Sequence, residues 1–414
     1  MRNVRTCVRY VAFLVIAMLY SATASAQDPV GKGNVARAEI GRPIQAAIDL
    51  IQSKKGKEAL AKVREAQTVQ DRSAYENYLI ERVQGQAATL TGEPRNAGRA
   101  FEAAATSPVA PEAEKRQLLA ASAGQYYLAK DYAKAAEVAE RHVAAGGSDR
   151  STRTIQIQAL YLANNFAAAA RLLTADLDAE EQVGKVPTES QLQLLANAYL
   201  QQKDATGYAR TMERLVAHYP KHDYWLAVIH AIAGRPGFSE RLALDVARLK
   251  IETGAMRTTE EYLEAAQLAL QDGFPKEATK IVDLGYTAGL LGTGVDAARH
   301  KRLKDMAAKN LAEDLKTISK NDAPPAVGRE GKALFNDGFN FVLNGNAEKG
   351  LAMMEQGVRL GSGFMRPEHA KMQLAYAYHL AGKGSRAQQV YRSAQGTDGT
   401  AALARLWVIR LGRS

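Results

Sequence analysis

The sequence predicts an all-α protein, an α-solenoid in which antiparallel helix pairs stack one on the next. Three observations carry this expectation. Apolar residues recur at spacings of three and four, as in Ile44, Ala47, Ile48 and Ile51, then Leu60 and Val63, then Tyr75, Leu79 and Val83, which places them on one helix face. Alternating β-branched and aromatic runs, the mark of half-buried strands, are missing, and alanine dominates. A polar turn followed by a small residue also returns along the chain at a near-constant interval.

The chain of 414 residues is 46% hydrophobic and 24% charged, proportions that allow a folded core and exclude a disordered chain. Its one cysteine, Cys7, cannot form an intramolecular disulfide, and a thiolate zinc or iron–sulfur site needs several such residues.

The first residues read as an address. Arg2, Arg5 and Arg9 precede an apolar run over residues 10–20, and Ala24-Ser25-Ala26 follows before Gln27. A basic start, an apolar stretch of this length and small residues at the end predict a signal peptide over 1–26, cleaved before Gln27. The run is too short to span a bilayer, which takes about 20 apolar residues. Loss of the three arginines lowers the net charge from +10 to +7 and leaves a cysteine-free chain suited to an oxidising compartment. The expected location is the periplasm, with no transmembrane segment after cleavage. Nucleic acid is not an expected partner.

Helix boundaries carry their own signals. Ser73 with Glu76, Thr188 with Gln191 and Thr258 with Glu261 each fit a capping box, where a hydroxyl and a later side chain satisfy orphan backbone N–H groups. Pro367 suits the first turn of a helix.

Small residues at 59, 97, 135 and 169 stand 38, 38 and 34 apart; Tyr208 holds the place 39 later, and 278, 350 and 387 follow at gaps of 70, 72 and 37. The two long gaps are near twice the period, so each is expected to hide a degenerate unit. These residues resemble the tetratricopeptide repeat (TPR) family, whose unit is two antiparallel helices in about 34 residues and whose stacked units form a superhelix. Gly85, Ala123, Ala196, Ala266, Gly338 and Ala375 match the small position of the family's first helix. Tyr126, Tyr199, Phe341 and Tyr378 match its aromatic position, and Pro220 its closing proline. The resemblance covers residues 42–290 and 330–398.

The expected organisation is a signal peptide, 1–26; a flexible N-terminal segment, 27–41; a repeat array, 42–320, ending in a long basic helix; a linker, 321–329; and further repeats with a capping helix, 330–414. Residues 295–320 read as that long helix, residues 321–328 (NDAPPAVG) as breaker composition, and residues 400–411 as a final helix with Trp407 and Ile409 available to cover the last repeat.

Catalytic signatures are not found. His218 and His222 have metal-like spacing, but Pro220 interrupts any continuous helix between them. The glycines at 289, 292 and 294 lack both the preceding strand and the Lys-Ser/Thr ending of a phosphate loop, so a helix–helix connection is expected. No catalytic residue, metal or cofactor is therefore assigned; a hydrolase with an unrecognised site is the least favoured reading.

The resemblance implies a platform that binds partners on its concave face. The matching residues are Arg82, Gln86, Tyr127, Gln158, Tyr161, Gln193 and Asn197. The lysine and asparagine set with which some relatives clamp a terminal carboxylate is incomplete, because Gln193 stands where a lysine is wanted. The favoured expectation is a non-enzymatic scaffold for envelope proteins. The alternative is a module that contacts envelope lipid or cell wall through Arg299, Lys301, Arg302 and Lys304, although Asp305, Glu313 and Asp314 interrupt that basic run.

Overall fold

The computed structural model describes residues 35–320 and 330–412. The expected signal peptide, Cys7 and the expected linker lie outside the described residues. The chain forms two compact units, which divide between Lys185 and Val186.

The first unit contains α1 (Ala38–Gln52), α2 (Gly56–Gln67), α3 (Ala74–Thr91), α4 (Pro94–Thr106), α5 (Glu112–Leu128), α6 (Tyr132–Ala144), α7 (Arg150–Leu162) and α8 (Phe166–Gln182). Each helix packs on the next, and α1 also meets α3 and α5 meets α7, so that first helices line up along the stack. The helix begins at Ala38, inside the segment 27–41 expected to be flexible, because Ile40 is already fully buried with Ile44 and Ala47. The anchors Ala59, Ala97, Ala135 and Ala169 are all buried at helix contacts. At Gly85 a Cβ would come within 2.5 Å of the Phe101 ring, so α3 and α4 approach as closely as they do only with glycine there.

One backbone device closes every clear pair. Five residues before each anchor the chain turns left-handed: Lys54 (φ 57°), Gly92 (73°), Lys130 (60°) and Asn164 (61°) in the first unit. The next N–H then reaches back to the end of the preceding helix, as from Asp131 to the Tyr126 carbonyl at 2.9 Å and from Asn165 to Leu160 at 2.8 Å. This satisfies orphan carbonyls and reverses the chain in the fewest residues.

The second unit contains α9 (Glu189–Gln201), α10 (Ala205–His218), α11 (His222–Ala233), a 3-10 turn (Glu240–Leu242), α12 (Ala243–Glu252), α13 (Thr259–Gln271) and α14 (Pro275–Thr287). It continues with α15 (Ala297–Lys320), α16 (Gly331–Leu343), α17 (Ala347–Leu360), α18 (Pro367–Leu380), α19 (Gly384–Ser393) and α20 (Thr400–Leu411). The same left-handed place recurs at Lys203 (58°), Gly273 (80°), Gly345 (96°) and Gly382 (73°). All three predicted capping boxes form, and Pro367 opens α18.

Two expectations change here. The first long gap does hold a helix pair, α11 and α12, but the second holds a single described helix, the 24-residue α15. Tyr208 is only half-buried; its neighbour Gly207 makes the close approach, against the Tyr199 ring.

The final helix is more than a cover for the last repeat. Trp407 is buried and stacks on Tyr391 of α19, with ring centroids 5.6 Å apart and planes 3° from parallel. The helix also packs on α10, α11 and α12. Arg405 pairs with Glu213 at 3.3 Å and Arg410 with Glu252 at 2.9 Å. The turn before it is held in the same way, since the Ser239 N–H donates to the Asp398 carbonyl at 2.9 Å. The second unit thus closes on itself through contacts distant in sequence.

Candidate partner-binding surfaces

In the first unit the predicted inner-face residues come together in two groups. Arg82 of α3 pairs with Glu114 of α5 at 2.6 Å, and Glu114 also accepts a hydrogen bond from the Tyr78 hydroxyl. Burial, and then that hydrogen bond, pushes the Tyr78 hydroxyl far above its ordinary pKa, so it stays protonated as a donor. Arg82 is therefore engaged rather than a free cation. Tyr127 of α5 is buried but for its edge, packs edge-to-face on Tyr132 at 5.6 Å, and donates to the Gln158 side-chain oxygen on α7 at 3.0 Å. That bond fixes the Gln158 amide with its two N–H donors turned away from Tyr127. Tyr161, one turn further on, packs edge-to-face on Phe166 at 5.3 Å. Gln86 is half-buried on α3.

In the second unit α9 exposes Gln193 and Asn197 one turn apart. Gln193 donates to the Tyr224 hydroxyl at 2.6 Å, and Tyr224 donates in turn to Glu189. Hydrogen bonds from Lys221 and Tyr224 hold the Glu189 carboxyl below its ordinary pKa. A carboxylate one turn from Gln193 works against any clamp for a terminal carboxylate, in agreement with the missing lysine.

The later repeats treat the same positions differently. Phe339 follows Gly338, and Tyr376 follows Ala375, as Gln86 follows Gly85 and Asn197 follows Ala196. Those two rings enclose the guanidinium of Arg248 from α12, at 5.3 and 5.0 Å from their centroids, with Phe274 at 5.8 Å. Arg248 is 2% exposed; it bonds Glu277 of α14 through two nitrogens, at 2.8 and 2.6 Å, and Asp245 at 2.9 Å. His369 of α18 meets Asp245 at 2.7 Å, and His379 meets Glu252 at 3.2 Å. The inner face of α16 and α18 is thus occupied by the chain's own α12. None of these residues was singled out from the sequence, although Asp245 and Arg248, set i and i+3 among Leu244, Ala247 and Leu249, are a charge pair on an otherwise apolar helix and were a readable signal.

The basic run on α15 is partly spent on internal pairing. Lys301 pairs with Asp305 at 2.8 Å; Lys304 pairs with Asp283 at 2.8 Å and lies 4.6 Å over the Tyr286 ring. His300 is buried and accepts the Gly292 N–H at 3.1 Å, which ties the glycine-rich connection between α14 and α15 to the helix that follows. Arg299 and Arg302 remain exposed. His218 ends α10 and His222 begins α11, where its Nδ1 donates to the Gly254 carbonyl at 3.0 Å. No helix among the described residues is long and apolar enough to cross a membrane.

No protein-family model matches the chain, and no curated protein does. Among solved structures it is similar to a chain of Naa15/Naa10 bound to HypK-THB, with a TM-score of 0.30 and 15% identity over 94% of this chain and 64% of that one. It is also similar to the pentatricopeptide repeat protein PPR10 from maize, with a TM-score of 0.30 and 17% identity over 98% of this chain and 61% of that one. A third is the p58(IPK) TPR domain, with a TM-score of 0.23 and 12% identity over 91% and 98% of the two chains. The chain spans less than two thirds of the first two. By its own geometry, with a buried small anchor in seven of the described helix pairs and a left-handed turn five residues before each, the fold is an array of helix pairs of the tetratricopeptide type.

Proposed function

We propose that this protein is a non-enzymatic scaffold of the bacterial envelope, exported to the periplasm, that binds a partner protein on the inner face of α3, α5 and α7 in the first unit; Gln193 and Asn197 of α9, in the second unit, are a separate candidate contact. The single observation that supports this most is the Tyr127–Gln158 hydrogen bond, which joins two successive first helices and holds the Gln158 amide donors away from Tyr127. Pre-oriented donors cost less entropy on binding an extended segment or helix than free side chains do. The inner face of α16 and α18 offers no such place, because α12 fills it.

Recovery of partners from envelope extract by the wild-type chain and by Gln158→Ala with Asn197→Ala tests the reading. It requires at least one partner that the wild type retains and the double variant loses; identical recovery from both sinks it. The membrane- or wall-binding alternative draws less support, since Lys301 and Lys304 are already paired with carboxylates and only Arg299 and Arg302 stand clear. Salt-sensitive sedimentation with anionic vesicles or isolated wall, lost in Arg299→Ala with Arg302→Ala, would reinstate it.

A further inference from the structure

Among the described residues eight helix pairs are closed by a left-handed residue whose follower's N–H returns to the end of the first helix; in the pair α11 and α12 the left-handed residue, Gly237 (φ 83°), comes later, and the next N–H, of Phe238, returns only to Arg235 at 3.1 Å. Its connection runs from Gly234 through Ser239 and a 3-10 turn, and this longer path leaves a cavity of 240 Å³ between the end of α11, α12 and α13. Val246, Met256, Ala265 and Leu268 supply an apolar floor. The rim is acidic. Glu240 and Glu264 are exposed there without a hydrogen-bond or ion-pair partner among the described residues, while the rim's one cation, Lys250, is neutralised by Glu261 at 2.6 Å. Glu261 is itself held in place, since its other oxygen caps α13 by accepting the Thr258 and Arg257 N–H groups.

Size and charge together specify an occupant. Pockets for whole small ligands run to roughly 300–1,000 Å³, so this one suits a single large side chain. Two unpaired carboxylates on a chain of net charge +10 select for cations beside that side chain. We propose that the cavity between α11, α12 and α13 seats one apolar side chain of a partner protein whose flanking residues are lysine or arginine. The inference is independent of the inner-face reading above, since the cavity shares no residue with it.

The test uses the full exported chain and fluorescent peptides read by anisotropy. The probe carries one phenylalanine between pairs of lysines; one control replaces the phenylalanine with alanine, and another replaces the lysines with glutamates. Expected are saturable binding of the probe, about tenfold weaker binding of the alanine control, as loss of a pocketed anchor implies, and no binding of the glutamate control. Ala265→Phe, which fills the cavity, is expected to abolish binding. Because Ala265 is buried and a larger side chain there crowds the core, Glu240→Lys with Glu264→Lys on the exposed rim is the second variant, expected to weaken the probe about tenfold or more. Equal affinity for the phenylalanine and alanine peptides would reduce the effect to general acidic attraction and overturn the proposal. So would the absence of probe binding, or unchanged binding by the charge-reversed rim.

Discussion

His369 and Asp245 meet at 2.7 Å across 124 residues of sequence, and the same carboxylate bonds Arg248 one turn along its own helix. This contact ties the inner face of α18 to α12. Burial pushes the Asp245 carboxyl up, but the His369 hydrogen bond and the Arg248 charge outweigh it and hold the group below its ordinary value of 3.8. A carboxyl depressed in the folded state contributes stability that is present above its ordinary pKa and lost as pH falls through the lower, folded one. The second unit is therefore expected to lose stability below pH about 4, and Asp245→Asn to flatten that loss, in urea titrations between pH 6 and 2.

Removing one partner of the buried cluster is expected to do more damage than protonating it. Glu277→Ala leaves the Arg248 guanidinium deep in the fold without its two-point acceptor, a class of change that costs about 3–5 kcal/mol. Arg248→Met, which keeps the volume and the contacts with Phe339 and Tyr376, removes the charge but strands Glu277 and leaves Asp245 with His369. The pair Arg248→Met with Glu277→Gln is expected to recover part of the loss, and a double-mutant cycle by denaturant melting measures it.

The left-handed turns predict a set of stabilising changes. Lys54, Lys130 and Lys203 occupy a conformation that costs a side-chain-bearing residue about 1–2 kcal/mol, partly offset by the extra unfolded-state freedom of glycine. Each change to glycine is expected to raise stability by up to about 1 kcal/mol, and Gly92→Ala or Gly382→Ala to lower it by a similar amount. Thermal melts of the single variants decide this. A lysine variant that melts lower would show that the turn is not strained as the dihedral implies.

At the start of the first unit, Glu76 closes its capping box with Ser73 and accepts two side-chain hydrogen bonds from Arg37, at 2.9 and 3.0 Å. The Arg37 bonds hold the Glu76 carboxyl down to about 2, from an ordinary value of 4.5. Its contribution is thus complete above pH 4.5 and is lost as pH falls through about 2. In Arg37→Ala the Glu76 resonance is expected to titrate closer to 4.5 by NMR, with α1 fraying from Ala38.

Trp407 anchors the closure of the second unit from the other side. Trp407→Ala removes the stacking partner of Tyr391 and is expected to cost about 3–5 kcal/mol. Limited proteolysis should then cut the turn at 394–399 before any site within α1 to α8. Cleavage spread evenly over the chain would show that α20 does not hold the second unit together.

Local features were legible in the sequence because local chemistry decides them. Helix starts followed from Ser73, Thr188, Thr258 and Pro367, whose side chains or rings act on the nearest turn. The repeat followed from the small anchors, which sit fully buried between helices at Ala97 and Ala135. Tyr127 and Gln158 were both named as inner-face residues, and the structure joins them. Arg82 and Lys304 look like free cations in the sequence because their partners Glu114 and Asp283 are matched to them only by the geometry of other helices, whereas Asp305, one turn from Lys301, already interrupts the basic run in the sequence.

By itself the sequence determined the class of the fold and, for the eight clear pairs, the pairing of helices and where each turns, all of which rest on spacings of a few residues. Tertiary structure alone decided that α12 fills the inner face of α16 and α18 and that α20 returns to α10, α11 and α12. The physical reason is that Asp245 and His369, like Arg405 and Glu213, gain nothing from their order along the chain. Their attraction exists only once the stacked helices curve far enough to bring the ends of the second unit together, and that curvature is a sum of many small packing angles rather than a property of any one motif.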